Sequence, residues 1–156
     1  LLSAVWLLLW HRPVFYRYRN AMLISGAIGL IIFATYPVAP PRLVPGLGLI
    51  DTVTEHAEAY RVLQPQAFTN QFAAMPSLHF GWNLLMGVAI ARTGRGWLRV
   101  AGILMPLAML IAVIATANHF IVDAIAGAAL AMLGLVLATY GRALLGRARS
   151  YAGPRG

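Results

Sequence analysis

The sequence predicts an all-α protein, a polytopic bundle of membrane helices. Of its 156 residues, 60% are hydrophobic and only 10% are charged, whereas a soluble domain carries about 25% charged residues. Four apolar segments approach the roughly 20 residues that a helix needs to cross a bilayer. A shorter apolar segment precedes them, so we expect about five helices in one domain over residues 1–156. The chain has no cysteine, which excludes a disulfide scaffold and thiolate chemistry.

The five segments follow one another with short connections, except at one place. Residues 1–10 are too few to span a bilayer and lack the basic start and cleavage site of a signal peptide, so we interpret them as the end of a helix that begins upstream, in an N-terminally truncated chain. The full spans are predicted at residues 21–38, 74–91, 98–116 and 120–140. Only a tight turn around Asn118 joins the last two.

The long connection, residues 39–73, is too polar to span. Three prolines around its start, Pro37, Pro40 and Pro41, end the preceding helix. Further on, Thr52 and Glu55 fit a helix capping box, and apolar residues then recur at helical spacing. The pattern predicts a short amphipathic helix that lies in the membrane interface and covers the bundle. A lid or a lipid entrance is the alternative role.

The arginines predict the orientation of the bundle. All twelve basic residues are arginine, and they lie between apolar spans rather than on one polar face, so nucleic acid is not an expected partner. If the spans alternate, one face holds only Arg42 and Arg61, and by the positive-inside rule the other face is cytoplasmic. That cytoplasmic face holds Arg12, Arg17, Arg19, Arg92, Arg95, Arg99, Arg142, Arg147, Arg149 and Arg155. An arginine-rich chain without lysine is typical of a GC-rich bacterial genome, which indicates a bacterial plasma membrane.

Three titratable residues begin two of the predicted spans on the arginine-poor face. His79 begins one span, while His119 and Asp123 begin another. The latter pair is four residues apart, so both lie on one face of a helix. We expect the Asp123 carboxylate to accept a hydrogen bond from the His119 imidazole, which fixes its tautomer and leaves the second nitrogen free to attack or abstract a proton. His79, in a separate environment, suits a general acid.

A phosphate site is predicted beside these histidines. Pro76 and Ser77 fit the opening turn of a helix, where free N–H groups and the helix dipole attract anions. Arg42 is predicted on the same face, and its planar fork suits phosphate oxygens. Together with the histidines and Asp123, this set indicates phosphoryl transfer.

Other classes of protein remain open from the residues alone. Two histidines and a carboxylate are also a possible metal site, and a His/Asp pair can serve a proton relay in a transporter. A non-enzymatic structural subunit is a third alternative. The predicted spans keep their polar residues mainly at one end, which disfavours a conduction path.

Three segments of the chain resemble motifs of the type 2 phosphatidic acid phosphatase (PAP2) superfamily, over roughly residues 20–140. The first ends in Arg42 and reads Tyr-Pro-Val-Ala-Pro-Pro-Arg. The second, Ala-Met-Pro-Ser-Leu-His, ends at His79. The third, Asn-His-Phe-Ile-Val-Asp, ends at Asp123 and is followed by Gly127. The chain looks most like the Aur1-like branch of inositol phosphorylceramide synthases, inositolphosphotransferases with bacterial relatives.

The resemblance implies a bundle of six helices, about five of which are visible in this sequence. It also implies an enzyme that acts on a lipid phosphate from outside the cytoplasm. It implies that His119 attacks phosphorus to form a phosphohistidine, that Asp123 orients His119, and that His79 protonates the leaving group. Arg42 and the amides at Ser77 and Leu78 hold the phosphate, without a metal or cofactor. Water or an alcohol, such as an inositol-type headgroup, accepts the phosphoryl group, so both a phosphatase and a strict headgroup transferase fit.

The chain also departs from the broader superfamily. The first motif lacks a lysine before Arg42, and Leu78 stands where the second motif usually has glycine. Ala112 and Val113 replace a Ser-Arg pair ahead of the third motif, so a second phosphate-binding arginine is missing there. These departures favour the Aur1-like branch, and Arg61 is a candidate for the lost charge.

Overall fold

The protein is a helical bundle, as predicted. The computed structural model describes residues 2–48 and 72–151, of which residues 142–151 are described only as helical backbone. Within these ranges there are five α-helices and no strand, and a single backbone bridge joins Val38 to Ala73. The helices are α1 (Leu2–Trp10), α2 (Arg12–Thr35), α3 (Leu78–Thr93), α4 (Trp97–Ala115) and α5 (Ile121–Tyr151), with a short 3-10 turn at Pro41–Leu43 between α2 and α3.

Two helices begin elsewhere than predicted. Helix α2 starts at Arg12 instead of residue 21, because Pro13 fits the first turn of a helix and the backbone continues helically from there. Arg12, Arg17 and Arg19 therefore lie on α2 and not in a linker. Helix α3 starts at Leu78 instead of residue 74, because the residues before it run extended beside Val38 and Ser77 caps the helix.

Three of the described helices are long and apolar enough to cross a membrane: α2, α4 and residues 121–141 of α5. Helix α3 has 16 residues, about 24 Å at 1.5 Å per residue, which is shorter than a ~30 Å hydrocarbon core. The prediction of a full-length span at residues 74–91 is therefore wrong in length. Helix α5 continues past the predicted end at residue 140. Large apolar side chains also face outward, among them Leu30, Ile111 and Ile125, and together these features fit an integral membrane protein.

Helix α3 is the centre of the bundle and contacts each of the other four described helices. Close packing there depends on small residues, which let backbones approach. A Cβ atom on Gly87 would lie 2.5 Å from the carbonyl oxygen of Gly102 on α4. The indole N–H of Trp82 donates to the hydroxyl of Ser25 on α2 over 3.2 Å. The apolar core lies in the half of the bundle away from the starts of α3 and α5, and it comprises Leu7, Tyr18, Ala21, Leu85, Met86, Ala89, Ala131 and Leu135.

The amphipathic helix predicted from Thr52 onward lies outside the described residues, as does Arg61. Both remain predictions.

Candidate active site

The starts of α3 and α5 lie side by side at one end of the bundle, and this end carries the predicted site. His79 is on the first turn of α3, and His119 is in the turn between α4 and α5. Their ring centroids are 6.2 Å apart and the rings are inclined by 50°. The structure thus brings together the two histidines that the sequence places on one face.

Glycines make this close approach possible. A Cβ atom on Gly127 of α5 would lie 2.2 Å from the carbonyl oxygen of Ser77, and one on Gly81 of α3 would lie 2.5 Å from the carbonyl oxygen of Gly127. Each contact is to backbone, which cannot rotate away. Any side chain at Gly127 would therefore push the starts of the two helices apart.

His119 is buried, with 7% of its surface exposed, and its hydrogen bond differs from the predicted one. Its Nδ1 lies 2.7 Å from the carbonyl oxygen of Ala74. Because a carbonyl can only accept, Nδ1 carries the proton in this contact, and in the neutral ring Nε2 keeps its lone pair. The Asp123 carboxylate lies 3.8 Å from Nδ1, too far for a hydrogen bond. The predicted His119–Asp123 hydrogen bond is therefore wrong, although the two groups are close.

The carbonyl of Ala74 reaches His119 through the extended segment before α3. The N–H of Val38 donates to the carbonyl of Phe72 over 2.6 Å, and the N–H of Ala74 donates to the carbonyl of Val38 over 3.1 Å. This pairing ties the segment to the end of α2. Sequence reasoning missed Ala74, since a backbone acceptor leaves no trace in residue type.

Asp123 is almost fully buried, with 1% of its surface exposed. Its Oδ2 accepts the backbone N–H of Phe120 over 2.8 Å, and as an acid in the first turn of α5 it is favoured by the helix dipole. The fixed carboxylate lies beside the His119 ring without bonding to it. It can therefore stabilise positive charge on that ring.

Burial also acts on the ionisation of His119, which lies in the turn outside the membrane-spanning helices. Desolvation lowers the pKa of His119 below its ordinary 6.5, and it outweighs the opposing effects of the bond to Ala74 and the charge of Asp123. His79 and Arg42 also disfavour the protonated ring. The imidazole is therefore neutral near pH 7.

The start of α3 is only in part the anion site that the sequence predicts. Ser77 is fully buried; its N–H donates to the backbone carbonyl of Asp123 over 2.9 Å, and its hydroxyl accepts the N–H of Phe80 over 3.4 Å. Its amide is therefore occupied, contrary to the prediction that it holds phosphate. Among the described residues, the N–H groups of Leu78 and His79 have no acceptor. The Leu78 side chain packs against Gly29 of α2, so only its backbone can serve the site.

Arg42 reaches the site from the 3-10 turn after α2. Its backbone N–H donates to the carbonyl of Ala117 over 3.1 Å, and its Nη1 donates to Oδ1 of Asn118. These contacts place the guanidinium beside the residue that precedes His119. The structure thus gathers Arg42, His79, His119 and Asp123 from three separate segments.

The described residues hold no group of three His, Cys, Asp or Glu side chains spaced to bind a metal ion. The absence of a metal from the chemistry remains a prediction.

The fold and this site define a class: a helical membrane protein with a histidine, carboxylate and arginine site at one end of its bundle. The family model of the PAP2 superfamily matches residues 1–137, and the chain therefore belongs to that superfamily. Its members are in general phosphatases, and membership together with the span-like helices fits a membrane lipid phosphatase. No curated protein and no solved structure gives a significant match.

Proposed function

We propose that this protein transfers the phosphoryl group of a lipid phosphate ester through a phosphohistidine on His119, with water or an alcohol as acceptor. One observation carries the proposal: the contact between His119 Nδ1 and the carbonyl of Ala74, at 2.7 Å. It holds the ring in the tautomer whose Nε2 is a nucleophile. Burial supports this by keeping the ring neutral, because a protonated imidazole cannot attack phosphorus.

The first step forms the Nε2–P bond and breaks the bond from phosphorus to the leaving oxygen. The leaving oxygen takes a proton from His79, whose ring centroid lies 6.2 Å from that of His119, a spacing that one phosphate can bridge. Positive charge develops on the His119 ring as it attacks, and the buried Asp123 carboxylate stabilises it. The N–H groups of Leu78 and His79, together with Arg42, hold the phosphate oxygens.

The second step reverses the proton transfer. Water or an alcohol attacks the phosphohistidine, the N–P bond breaks, and His79 accepts the proton of the attacking hydroxyl. The acceptor decides between phosphatase and phosphotransferase, and the same residues serve both.

The arginine distribution supports an active site outside the cytoplasm of a bacterial cell. Ten arginines belong to the other face by the positive-inside rule. In support, the described structure places Arg42, His79 and His119 together, away from Arg92 and Arg95 at the opposite end of α3.

A strict headgroup transferase of the Aur1 type is the second candidate. It is favoured by Leu78 in place of glycine and by Ala112 and Val113 in place of the Ser-Arg pair. This candidate predicts slow hydrolysis in water and faster turnover when an inositol-type polyol is added.

The test uses the natural protein and the His119→Ala variant in liposomes that contain EDTA. Phosphate release from a panel of lipid phosphates is followed with and without added polyol acceptors. We expect metal-independent turnover by the natural protein and none by the variant, which keeps the natural elution profile in detergent. Equal turnover by the variant contradicts the phosphohistidine, and loss of turnover in EDTA that Zn²⁺ or Mg²⁺ restores indicates a metal enzyme instead.

A further inference from the structure

Asn118 lies between His119, the candidate nucleophile, and Arg42, the candidate phosphate-binding arginine. Neither the family resemblance nor the mechanism gives Asn118 a role. Its Oδ1 accepts from Nη1 of Arg42. Its Nδ2 donates to Oγ1 of Thr116 over 2.8 Å. The side chain thus ties the arginine, which comes from the turn after α2, to the end of α4.

Thr116, the last residue in this series of hydrogen bonds, fixes the direction of the bonds. The hydroxyl of Thr116 donates its single proton to the carbonyl of Ala112 over 2.7 Å. Toward Asn118 it can therefore only accept, since a hydroxyl has one proton. The amide of Asn118 must turn its Nδ2 toward Thr116, and its Oδ1 then faces Arg42.

Two contacts with described residues therefore help to hold Arg42. Its backbone N–H is bonded to the carbonyl of Ala117, at 3.1 Å, and one arm of its guanidinium is bonded to Asn118. A guanidinium is planar, so fixing one arm also fixes the plane of the others. Asn118 is neutral, so its bond to Arg42, unlike a bond to a carboxylate, does not cancel the positive charge of the guanidinium.

We infer that Asn118 is a positioning residue that orients the guanidinium of Arg42 toward the phosphate of the substrate. The inference rests on the proposed function, in which Arg42 contacts that phosphate. Arg42 on a fixed support then helps to offset the loss of the further arginine that the broader superfamily has in its third motif. The relevant ligand chemistry is a phosphate dianion.

The test compares three substitutions in the full chain. Asn118→Ala removes the support, and we expect the KM for dioctanoyl phosphatidic acid and the inhibition constant of inorganic phosphate to rise together by about tenfold, with kcat changed by less than about threefold. Asn118→Asp has the same shape but cannot donate to Thr116, and its charge cancels that of Arg42. We therefore expect a larger rise with Asp than with Ala. Thr116→Val, which removes only the anchor of the amide, should give a rise of about two- to threefold.

The ranking separates positioning from a structural role. If Asn118 only stabilised the turn, the isosteric Asp would be milder than Ala, and that order contradicts the inference. Asn20→Ala is a matched control, because Asn20 Oδ1 accepts from the guanidinium of Arg19 over 2.8 Å on the exposed start of α2. It should leave KM and phosphate inhibition unchanged.

A double-mutant cycle with Arg42→Lys tests whether Asn118 acts through the arginine. Lysine has no planar fork to orient, so in that background Asn118→Ala should cost less than about threefold in kcat/KM. A full tenfold cost in the Arg42→Lys background contradicts the inference.

The proposed function and this inference fail in different ways. Equal turnover by His119→Ala removes the proposed mechanism. Unchanged KM and phosphate inhibition in Asn118→Ala remove the inference alone. If the natural protein turns over no lipid phosphate, the test instead measures how much inorganic phosphate raises the melting temperature. The rise should be smaller in Asn118→Ala than in Asn20→Ala, and an equal rise in both contradicts the inference.

Discussion

The starts of α3 and α5 carry one histidine each, yet their surroundings are opposite. His79, on the first turn of α3, is exposed. His119, just before α5, is buried, with its Nδ1 bonded to the carbonyl of Ala74. Beside it lies the buried carboxylate of Asp123, which is bonded to the backbone of Phe120. One histidine ring is open to solvent, and the other is held in one tautomer.

This difference teaches how one residue type can fill two roles. In the proposed mechanism the nucleophile needs a lone pair in a fixed direction, and burial with a hydrogen bond to Ala74 suits His119 to that role. The proposed general acid must change protonation state in every cycle, and exposure opens the His79 ring to solvent. Four substitutions and one pH dependence test this division and the site around it, with the substitutions taken from the largest expected effect to the smallest.

Asp123→Asn should have the largest effect. The amide can still accept the N–H of Phe120, so the turn is kept, but the negative charge beside His119 is lost. We expect kcat to fall by about a thousandfold or more, as in other sites where an aspartate supports a histidine. Single-turnover measurement of phosphoenzyme formation checks this, and a slow second step with normal phosphoenzyme formation contradicts the role of Asp123 in the attack.

Gly127→Ala should separate the two helix starts. The new Cβ would meet the carbonyl oxygen of Ser77 at 2.2 Å, so α5 must shift away from α3. A displacement of about 1 Å in a catalytic geometry costs about a hundredfold in rate, and we also expect a lower melting temperature in detergent. Gly141→Ala on the same helix, where nothing lies within 4 Å of the Cβ position, is the control and should leave both quantities unchanged.

His79→Gln should lower turnover of alkyl phosphate esters by about a hundredfold, the usual scale of general acid catalysis. Esters with a good leaving group, such as p-nitrophenyl phosphate, need no proton and should lose far less. Comparing kcat/KM for the two ester classes measures the difference. An equal loss for both would show that His79 binds phosphate rather than donating a proton.

Arg42→Lys should give the smallest effect of the four, about a tenfold loss in kcat/KM. The charge is kept, but the planar fork that suits two phosphate oxygens is lost. Phosphate inhibition, measured alongside, should weaken by a similar factor. An unchanged value for both quantities removes Arg42 from the phosphate site.

The pH dependence follows from the same comparison. Because burial lowers the pKa of His119 below 6.5, the proposed nucleophile is neutral near pH 7, and the acid limb of a measured pH–rate profile should lie below pH 6.5. The unfolded chain binds this proton more readily than the folded one, so the contribution of His119 to stability falls as pH drops below about 6.5.

Much of the fold could be predicted from the sequence because membrane spans are set by composition and length. The span order and the shared end of His79, His119 and Asp123 follow from apolar runs and from arginine counts. The prediction missed the starts of α2 and α3 because local capping at Pro13 and Ser77 decides them, and hydropathy does not register capping.

The hydrogen bonds of the site could not be predicted in the same way. A His–Asp spacing of four residues suggests a direct bond, but the Ala74 carbonyl, brought in by the pairing with Val38, accepts the hydrogen bond from Nδ1 instead. Likewise, the backbone carbonyl of Asp123 accepts the hydrogen bond from the Ser77 N–H, and the sequence had predicted that this N–H binds phosphate. Both acceptors are backbone atoms, and every residue has one.

By itself the sequence determined a membrane-embedded helical bundle with two histidines, an aspartate and an arginine at one end, because hydrophobic length and charge asymmetry act through residue type alone. Only the tertiary structure decided which atom fixes His119, which amides remain open at the start of α3, and that Asn118 supports Arg42. Those outcomes depend on groups far apart in the chain, most of them backbone atoms, and their meeting is set by packing, including the contact between Gly127 and Ser77.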